Sequence, residues 1–411
     1  MLLNQHDSKS VITPVVRRFL SSVLVFVLSA CNQIDGGALQ DSSDIQKQQS
    51  PDSIVYGRET EFSYPKFSGI YSVGTRTILL TDPARLEYFT SRNAISNEYS
   101  NRTIQVRFYY PRENLVGSNT NKLPVIAPAT WQYLIGHQHA KGKYLRFENY
   151  RKAKWNIEIG QPINQSRASY PILIFSHGYG YNAEAYSALS AELASRGFIV
   201  ASINHTYGAN PVDLGEGKLI WATPLKKESI GSYLPIWSSD QLELVDYLSI
   251  KNSDSSDPFF QKLDLANIGI FGHSYGGAAA FQTASKDPRI KAVMDIDGTL
   301  FDYKDEQIDQ PFALLLSKNH RSSFNFKQTF GPSYLVKLKN FEHASFTDHI
   351  LWWQWDHDDL DLGFGKVDSY RAVELTTNIV DQFFSHYLLN KASPLFEVEH
   401  IDTIEYSLDK K

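Results

Sequence analysis

The chain has 411 residues, of which 42% are hydrophobic and 21% charged, and a formal net charge of −5. That length can bury a large core, and these fractions are those of an ordinary globular protein. The acidic balance argues against a nucleic-acid binder, which would carry a basic stripe, and the one cysteine, Cys31, excludes an internal disulfide.

The chain opens on a targeting pattern. Arg17 and Arg18 precede an apolar run over residues 19–28, which closes on Leu28-Ser29-Ala30-Cys31. A basic segment, a short apolar segment and small residues before a cut make a secretory signal peptide. The run is too short to span a bilayer as a helix. Leu-Ser-Ala-Cys also resembles the lipobox of bacterial lipoproteins, which implies a diacylglyceryl group on Cys31 and an exported protein lipid-anchored to the cell envelope. A plain signal peptide with a chance cysteine is the alternative. Residues 32–55 are rich in Gln, Ser, Asp, Asn and Gly and read as a flexible tether. A single catalytic domain is expected over residues 56–411.

Within that domain, residues 103–110 (TIQVRFYY) suit a strand, ended by Pro111. Residues 112–168 show no clear period and read as an insertion or long loop. A regular pattern follows. Strands are expected at 170–176, 198–203, 267–272, 290–296, 312–316 and 334–338, and helices at 182–196, 239–250, 275–285 and 368–389. Short apolar strands alternating with helices imply a mostly parallel sheet covered on both faces, the α/β-hydrolase fold once the next motif is included.

Gly272-His273-Ser274-Tyr275-Gly276 fits Gly-x-Ser-x-Gly between an expected strand and an expected helix, the context of a nucleophile elbow. A serine hydroxyl attacks only when a base takes its proton. The base belongs in a loop beyond the last strands, where His343 lies. His320 ends an earlier strand, and His349 and His357 fall in a Trp-rich segment. The acid that orients the base is expected at Asp297, because the following strand (FALLLSKNHRSS) carries no carboxylate at its end. Asp295 stays open as a competitor, since strand alternation puts both on one face. In Ser176-His177-Gly178-Tyr179-Gly180 the glycines free the backbone to form an oxyanion hole, with donors expected from the N–H groups of Tyr179 and Tyr275. His177 invites a metal reading, but a role buttressing that loop suits it better. The run 356–361 (DHDDLD) mimics a calcium loop, yet Leu360 stands at a ligand position. No metal, cofactor or nucleic acid is expected. Trp352, Trp353 and Trp355 either pack the core or meet an acyl chain or lipid interface.

Four stretches together resemble the plasma-type platelet-activating factor acetylhydrolase family. They are Tyr109-Tyr110-Pro111, residues 171–178 (PILIFSHG), residues 193–201 (LASRGFIVA) and residues 272–278 (GHSYGGA). The resemblance spans about residues 100–390. It implies calcium-independent hydrolysis of short or oxidised sn-2 acyl chains from phospholipids, and an acid on the strand directly after the nucleophile helix, which agrees with Asp297. The Trp352 region and the lipobox depart from the family pattern. A polyester or cutinase-type hydrolase shares the elbow. A surface lipoprotein that binds a ligand without catalysis would need a broken triad, and here Ser274, Asp297 and His343 are all present.

Overall fold

Six strands that read as near-continuous apolar runs form the parallel centre of a twelve-stranded sheet. The computed structural model describes residues 64–87, 101–114, 121–125, 127, 153–225, 230–300, 306–320, 324, 326–356 and 363–411. Residues 61–223 and 231–411 form one compact unit, which carries the whole sheet and the helices packed on it; of the second unit, 1–60 and 224–230, only 224, 225 and 230 are described.

The strands are β1 (Val73–Leu86), β2 (Asn101–Pro111), β3 (Lys122–Pro124), β4 (Lys154–Ile159), β5 (Tyr170–Ser176), β6 (Ile199–Asn204), β7 (Val212–Asp213), β8 (Leu219–Ile220), β9 (Leu263–His273), β10 (Ile290–Ile296), β11 (Phe312–Ser317), β12 (Ser333–Leu338), β13 (His400–Asp402) and β14 (Tyr406–Lys410). The helices are α1 (Ser187–Ser195), α2 (Leu234–Ser253), α3 (Tyr275–Ala284), α4 (His349–Asp356) and α5 (Ser369–Leu389). The large sheet runs β13-β14-β12-β11-β10-β9-β5-β6-β2-β1-β4-β3, and β7 and β8 make a separate hairpin. Strands β6, β5, β9, β10, β11 and β12 are parallel. From β5 the chain passes outward to β6 on one side, and later resumes at β9 on the other. This reversal opens a crevice at the carboxyl ends of β5 and β9, where open α/β sheets bind their ligands.

Alternation along the strands builds the two faces. Leu173, Phe175, Phe271, Met294 and Ile296 share one cluster with the all-buried helix α1 and with Phe383 and Phe384 of α5. Helices α2 and α3 pack together and α3 lies on β9 and β10. Local signals set the helix ends. Asp368 accepts the backbone N–H of Arg371 at 3.0 Å and starts α5, and Asn390 ends it in the left-handed conformation at φ 51°.

The parallel core and its helices follow the sequence reading within a few residues. Three regions differ. Strand β1 pairs with β2 across eleven positions, although its polar-rich alternation and Pro83 give a weak strand signal. The stretch 112–168 is more than a loop, because β3 and β4 in it extend the sheet beyond β1. The Trp-rich segment forms α4. Cys31 and the tether over 32–55 lie outside the described residues. Among those residues, no helix is long and apolar enough to cross a membrane.

Candidate active site

The turn from β9 into α3 carries Ser274. Its backbone stands at φ 56° and ψ −119°, a left-hand region that costs a non-glycine residue about 1–3 kcal/mol. The surroundings hold it there. The Ser274 N–H donates to the Ile296 carbonyl at 2.7 Å, and the Gly277 N–H donates back to the Ser274 carbonyl at 3.1 Å. Gly276 is required by contact, since a Cβ there would lie 2.2 Å from the Ser176 carbonyl oxygen. The helix start therefore packs directly on the end of β5.

Asp297 is the neighbouring strained residue. The β9–β10 register sets Ile296 opposite His273, so the next residue reaches the level of Ser274. Asp297 then turns out of β10 at φ 53°, which breaks the alternation that keeps Asp295 in contention on sequence grounds. Asp297 is almost fully buried and all its acceptor capacity is used. Oδ2 meets His343 Nδ1 at 2.7 Å and the Ser317 hydroxyl at 3.0 Å; Oδ1 accepts the Ser317 N–H at 2.6 Å and lies 3.2 Å from His320 Nδ1. Burial pushes this carboxyl up, but the hydrogen bonds from His320 and His343 outweigh it and hold Asp297 well below the usual carboxylate range. Asp295 goes elsewhere. Its Oδ1 accepts the Gly298 N–H at 2.9 Å and would lie 2.0 Å from a Cβ on Gly277, so it sits beneath the elbow. Burial pushes its carboxyl well above the ordinary value.

His343 begins a 3₁₀ turn, His343–Phe346, just past β12. A reciprocal capping box between Glu342 and Ser345 fixes the entry to that turn. With Nδ1 on the ionised Asp297, the imidazole carries its proton there and leaves Nε2 as the basic atom. Its side chain is 34% exposed, against 3% for His320, so of the two histidines on Asp297 only His343 faces the crevice. The buried His273 ring lies 4.5 Å from that of His343, and its Nδ1 meets the Tyr186 hydroxyl at 2.7 Å. Burial, with His343 beside it, keeps His273 well below the usual imidazole range and therefore neutral. His273, Asp297 and His343 each bring a potential ligand atom within 4.8 Å of the others. Of their nitrogens, His343 Nδ1 is engaged by Asp297 and His273 Nδ1 by the Tyr186 hydroxyl.

The loop after β5 supplies the opposite wall. A Cβ on Gly178 would lie 3.3 Å from Ser274 Cβ, a tight contact that glycine avoids as this backbone approaches the serine. Tyr179 and Tyr275, the expected oxyanion residues, come together with ring centroids 5.6 Å apart. Tyr179 also donates its hydroxyl to the carbonyls of Tyr207, at 3.2 Å, and Thr223, at 2.5 Å. His177 is fully buried behind them.

The structure brings Ser274, Asp297, His343, Tyr179 and Tyr275 to one crevice. It also adds residues that sequence reasoning misses. Ser317 occupies the strand end where a carboxylate would otherwise be sought, and both its backbone and its hydroxyl grip Asp297. His320, which sequence order places on an earlier strand, is the second imidazole on the same acid. The tryptophans resolve toward packing. Trp352 and Trp353 are 2% and 8% exposed and belong to the core; Trp352 stacks on His349 at 4.7 Å and donates Nε1–H to the Tyr64 hydroxyl at 2.6 Å. An interface role is therefore withdrawn for these two. The acidic run 356–361 begins at the end of α4, and residues 357–361 lie outside the described residues.

Comparison with known proteins gives a consistent picture. The family model described as platelet-activating factor acetylhydrolase, isoform II, matches residues 56–209 and 248–393. A platelet-activating factor acetylhydrolase from Bos taurus is 26% identical over 384 residues, covering 82% of this chain and 77% of its own. One from Cavia porcellus is 27% identical over 397 residues, covering 85% and 83%. Among solved structures, a ferulic acid esterase from Streptomyces cinnamoneus superposes with a TM-score of 0.65 at 23% identity, covering 81% of this chain and 95% of that one. The last likeness speaks to the fold.

Proposed function

The chain belongs to the platelet-activating factor acetylhydrolase isoform II family, and from that premise we propose that it is a serine hydrolase of carboxylic esters, with phospholipids bearing short or oxidised sn-2 acyl chains as its substrate class. The observation that carries this reading is the 2.7 Å bond from His343 Nδ1 to the buried Asp297, beside a serine held in the strained elbow.

The chemistry follows from that tautomer. His343 Nε2 takes the proton of Ser274 as its Oγ attacks the ester carbonyl. The N–H groups of Tyr179 and Tyr275 stabilise the oxygen that gains charge. His343 returns the proton to the departing alcohol, leaving an acyl group on Ser274. A water then loses a proton to His343 and attacks the acyl carbon, and the serine recovers its proton as the acid leaves. Asp297 stays ionised throughout and stabilises the imidazolium.

The test is kinetic and chemical. A fluorophosphonate should label Ser274 alone, and turnover on a panel from acetyl to long-chain esters, phospholipids included, should favour the short sn-2 chains. A chain that takes no label and turns over none of these esters would sink the reading. We also propose export with a lipid on Cys31. A coil of the 32–55 length spans roughly 25–30 Å, which lets the crevice reach bilayer esters. Mass spectrometry of the mature N-terminus checks it, and an unmodified start at another residue would refute it.

A further inference from the structure

A second serine–histidine–aspartate set lies behind the crevice, wholly buried. Asp240 of α2 accepts His205 Nδ1 at 2.8 Å, and His205 Nε2 meets the Ser176 hydroxyl at 2.9 Å. Arg102 neutralises Asp240 through Nη2 at 2.6 Å and Nε at 3.1 Å. Gln241 Nε2 donates to Ser176 Oγ at 2.7 Å, so the serine's own proton goes to His205. His205, Asp240 and Ser176 are all 0% exposed, which bars any substrate. Burying so many polar groups is costly unless each is partnered, and here the partners converge on the strand ends that carry the oxyanion loop.

The connection to that loop passes through backbone. The His205 N–H donates to His177 Nε2 at 3.2 Å. A backbone N–H can only donate, so His177 Nε2 must be the acceptor nitrogen and Nδ1 must carry the proton. That Nδ1–H points to the Gly178 carbonyl at 2.7 Å. The Tyr181 N–H bonds the same carbonyl at 3.0 Å, and the Gly178 N–H donates to the Tyr186 hydroxyl at 3.2 Å. Among the described residues the only cis peptide is Asn210–Pro211, so Gly178–Tyr179 is trans. In a trans peptide the carbonyl and the following N–H point in opposite directions. Fixing the Gly178 carbonyl therefore fixes the direction of the Tyr179 N–H, on a stretch of backbone that packs against Ser274.

We propose that His177, held in a single tautomer by His205 and the Asp240 set behind it, is a positioning residue that aims the Tyr179 N–H into the oxyanion hole. Trp237 braces the arrangement. It stacks on His205 at 4.0 Å and meets His177 and Tyr275 edge-on, both at 4.9 Å. Burial, aided by His205, lowers His177 to about 3, so the ring stays neutral and the donor stays on Nδ1 at any pH where the enzyme would work. The inference rests on the serine-hydrolase reading above.

Two substitutions separate positioning from mere support. An asparagine amide can stand where Nδ1 stands and still donate to Gly178, whereas a glutamine keeps a group near Nε2 and loses that donor. Active sites are counted by the acyl burst with p-nitrophenyl acetate, and a trifluoromethyl ketone, which forms an oxyanion on Ser274, reports the hole directly. We expect His177→Gln to lower kcat per active site about 10–100-fold with KM nearly constant, and to weaken the ketone by a similar factor. His177→Asn should recover most of both. Equal losses for Asn and Gln, or an unchanged kcat and ketone affinity with only a lower Tm, would overturn the proposal. Should the variants fail to fold, ¹⁵N-histidine NMR of the wild-type chain decides: His177 must show the Nδ1–H tautomer from pH 5 to 9, and an Nε2–H or doubly protonated ring refutes it. A wild type without a burst on Ser274 would instead bring down the underlying reading.

Discussion

The crevice set Ser274–His343–Asp297 and the buried set Ser176–His205–Asp240 use the same three residue types. Their histidine–carboxylate distances are alike, 2.7 Å and 2.8 Å. They differ in backbone and in access. Ser274 and Asp297 sit at positive φ, and His343 is about one-third exposed. Ser176 is an ordinary strand residue, His205 is sealed under Trp237, and Asp240 has Arg102 as a permanent counter-ion. On the proposed reading, residue types alone do not make a reaction centre; strain that projects the serine and a histidine nitrogen open to the crevice set the reactive triad apart.

The sharpest way to break the comparison is to remove each serine. Ser274→Ala should abolish fluorophosphonate labelling and lower kcat about 10⁴-fold or more. Retained turnover or label would mean that the crevice set is not the reactive one.

The acids come next. Asp297→Asn should keep the fold yet lower kcat about 10³–10⁴-fold, because an amide favours the wrong imidazole tautomer. Asp295→Asn should cost less than tenfold by the same assay, since burial disfavours the charge on that carboxyl and an amide is a neutral replacement of equal shape. A greater loss at Asp295 would reverse the assignment.

How far the site is legible in the sequence depends on what kind of signal each residue carries. Ser274 is legible because five residues between a strand and a helix specify a turn. His343 and Asp297 are legible from chain order and strand ends. Asp295 cannot be dismissed from sequence, because its exclusion needs the φ of Asp297, a tertiary property. That His320 and Ser317 hold the acid is not legible, because they do so from a strand that is its neighbour only in the folded sheet. Asp240 does leave a trace: it falls among Trp237, Gln241 and Leu244 on the buried stripe of α2, a carboxylate where the period demands an apolar group. Strand β1 and the strands within 112–168 are hidden because this outer part of the sheet is half exposed, and their polar alternation imitates loop composition.

A smaller effect is expected in the buried set. Ser176→Ala leaves the His205 Nε2 and the Gln241 amide without their shared partner, at a cost of about 1–3 kcal/mol. Chemical denaturation should register that loss. The fluorophosphonate adduct should remain on Ser274 at one per chain, and turnover should fall less than tenfold. A label that disappears with Ser176 would erase the distinction between reactive and supporting sets.

The smallest effect on turnover concerns the seam between the crevice histidine and the helix layer. Asp348 lies just beyond the His343–Phe346 turn and is buried. Its own N–H donates to the Ala185 carbonyl at 2.7 Å, and its Oδ2 accepts the Ala188 N–H at 3.0 Å, so it caps α1 from a distance. Burial pushes this carboxyl up to about 7, more than the α1 amides pull it down. The unfolded chain ionises the same group near 3.8. Between those two values the folded state binds more protons than the unfolded one, so its contribution to stability is full below 3.8 and declines as the pH rises to about 7. Asp348→Asn keeps an acceptor for the Ala188 N–H but has no charge to desolvate. Relative to wild type, the variant should therefore gain stability steadily between pH 4 and pH 7 and change little beyond. Urea midpoints at pH 5 and pH 8 would read this directly. A difference between the two proteins that does not move with pH would show that Asp348 ionises in the fold as it does in water, and that the seam carries no protonation of its own.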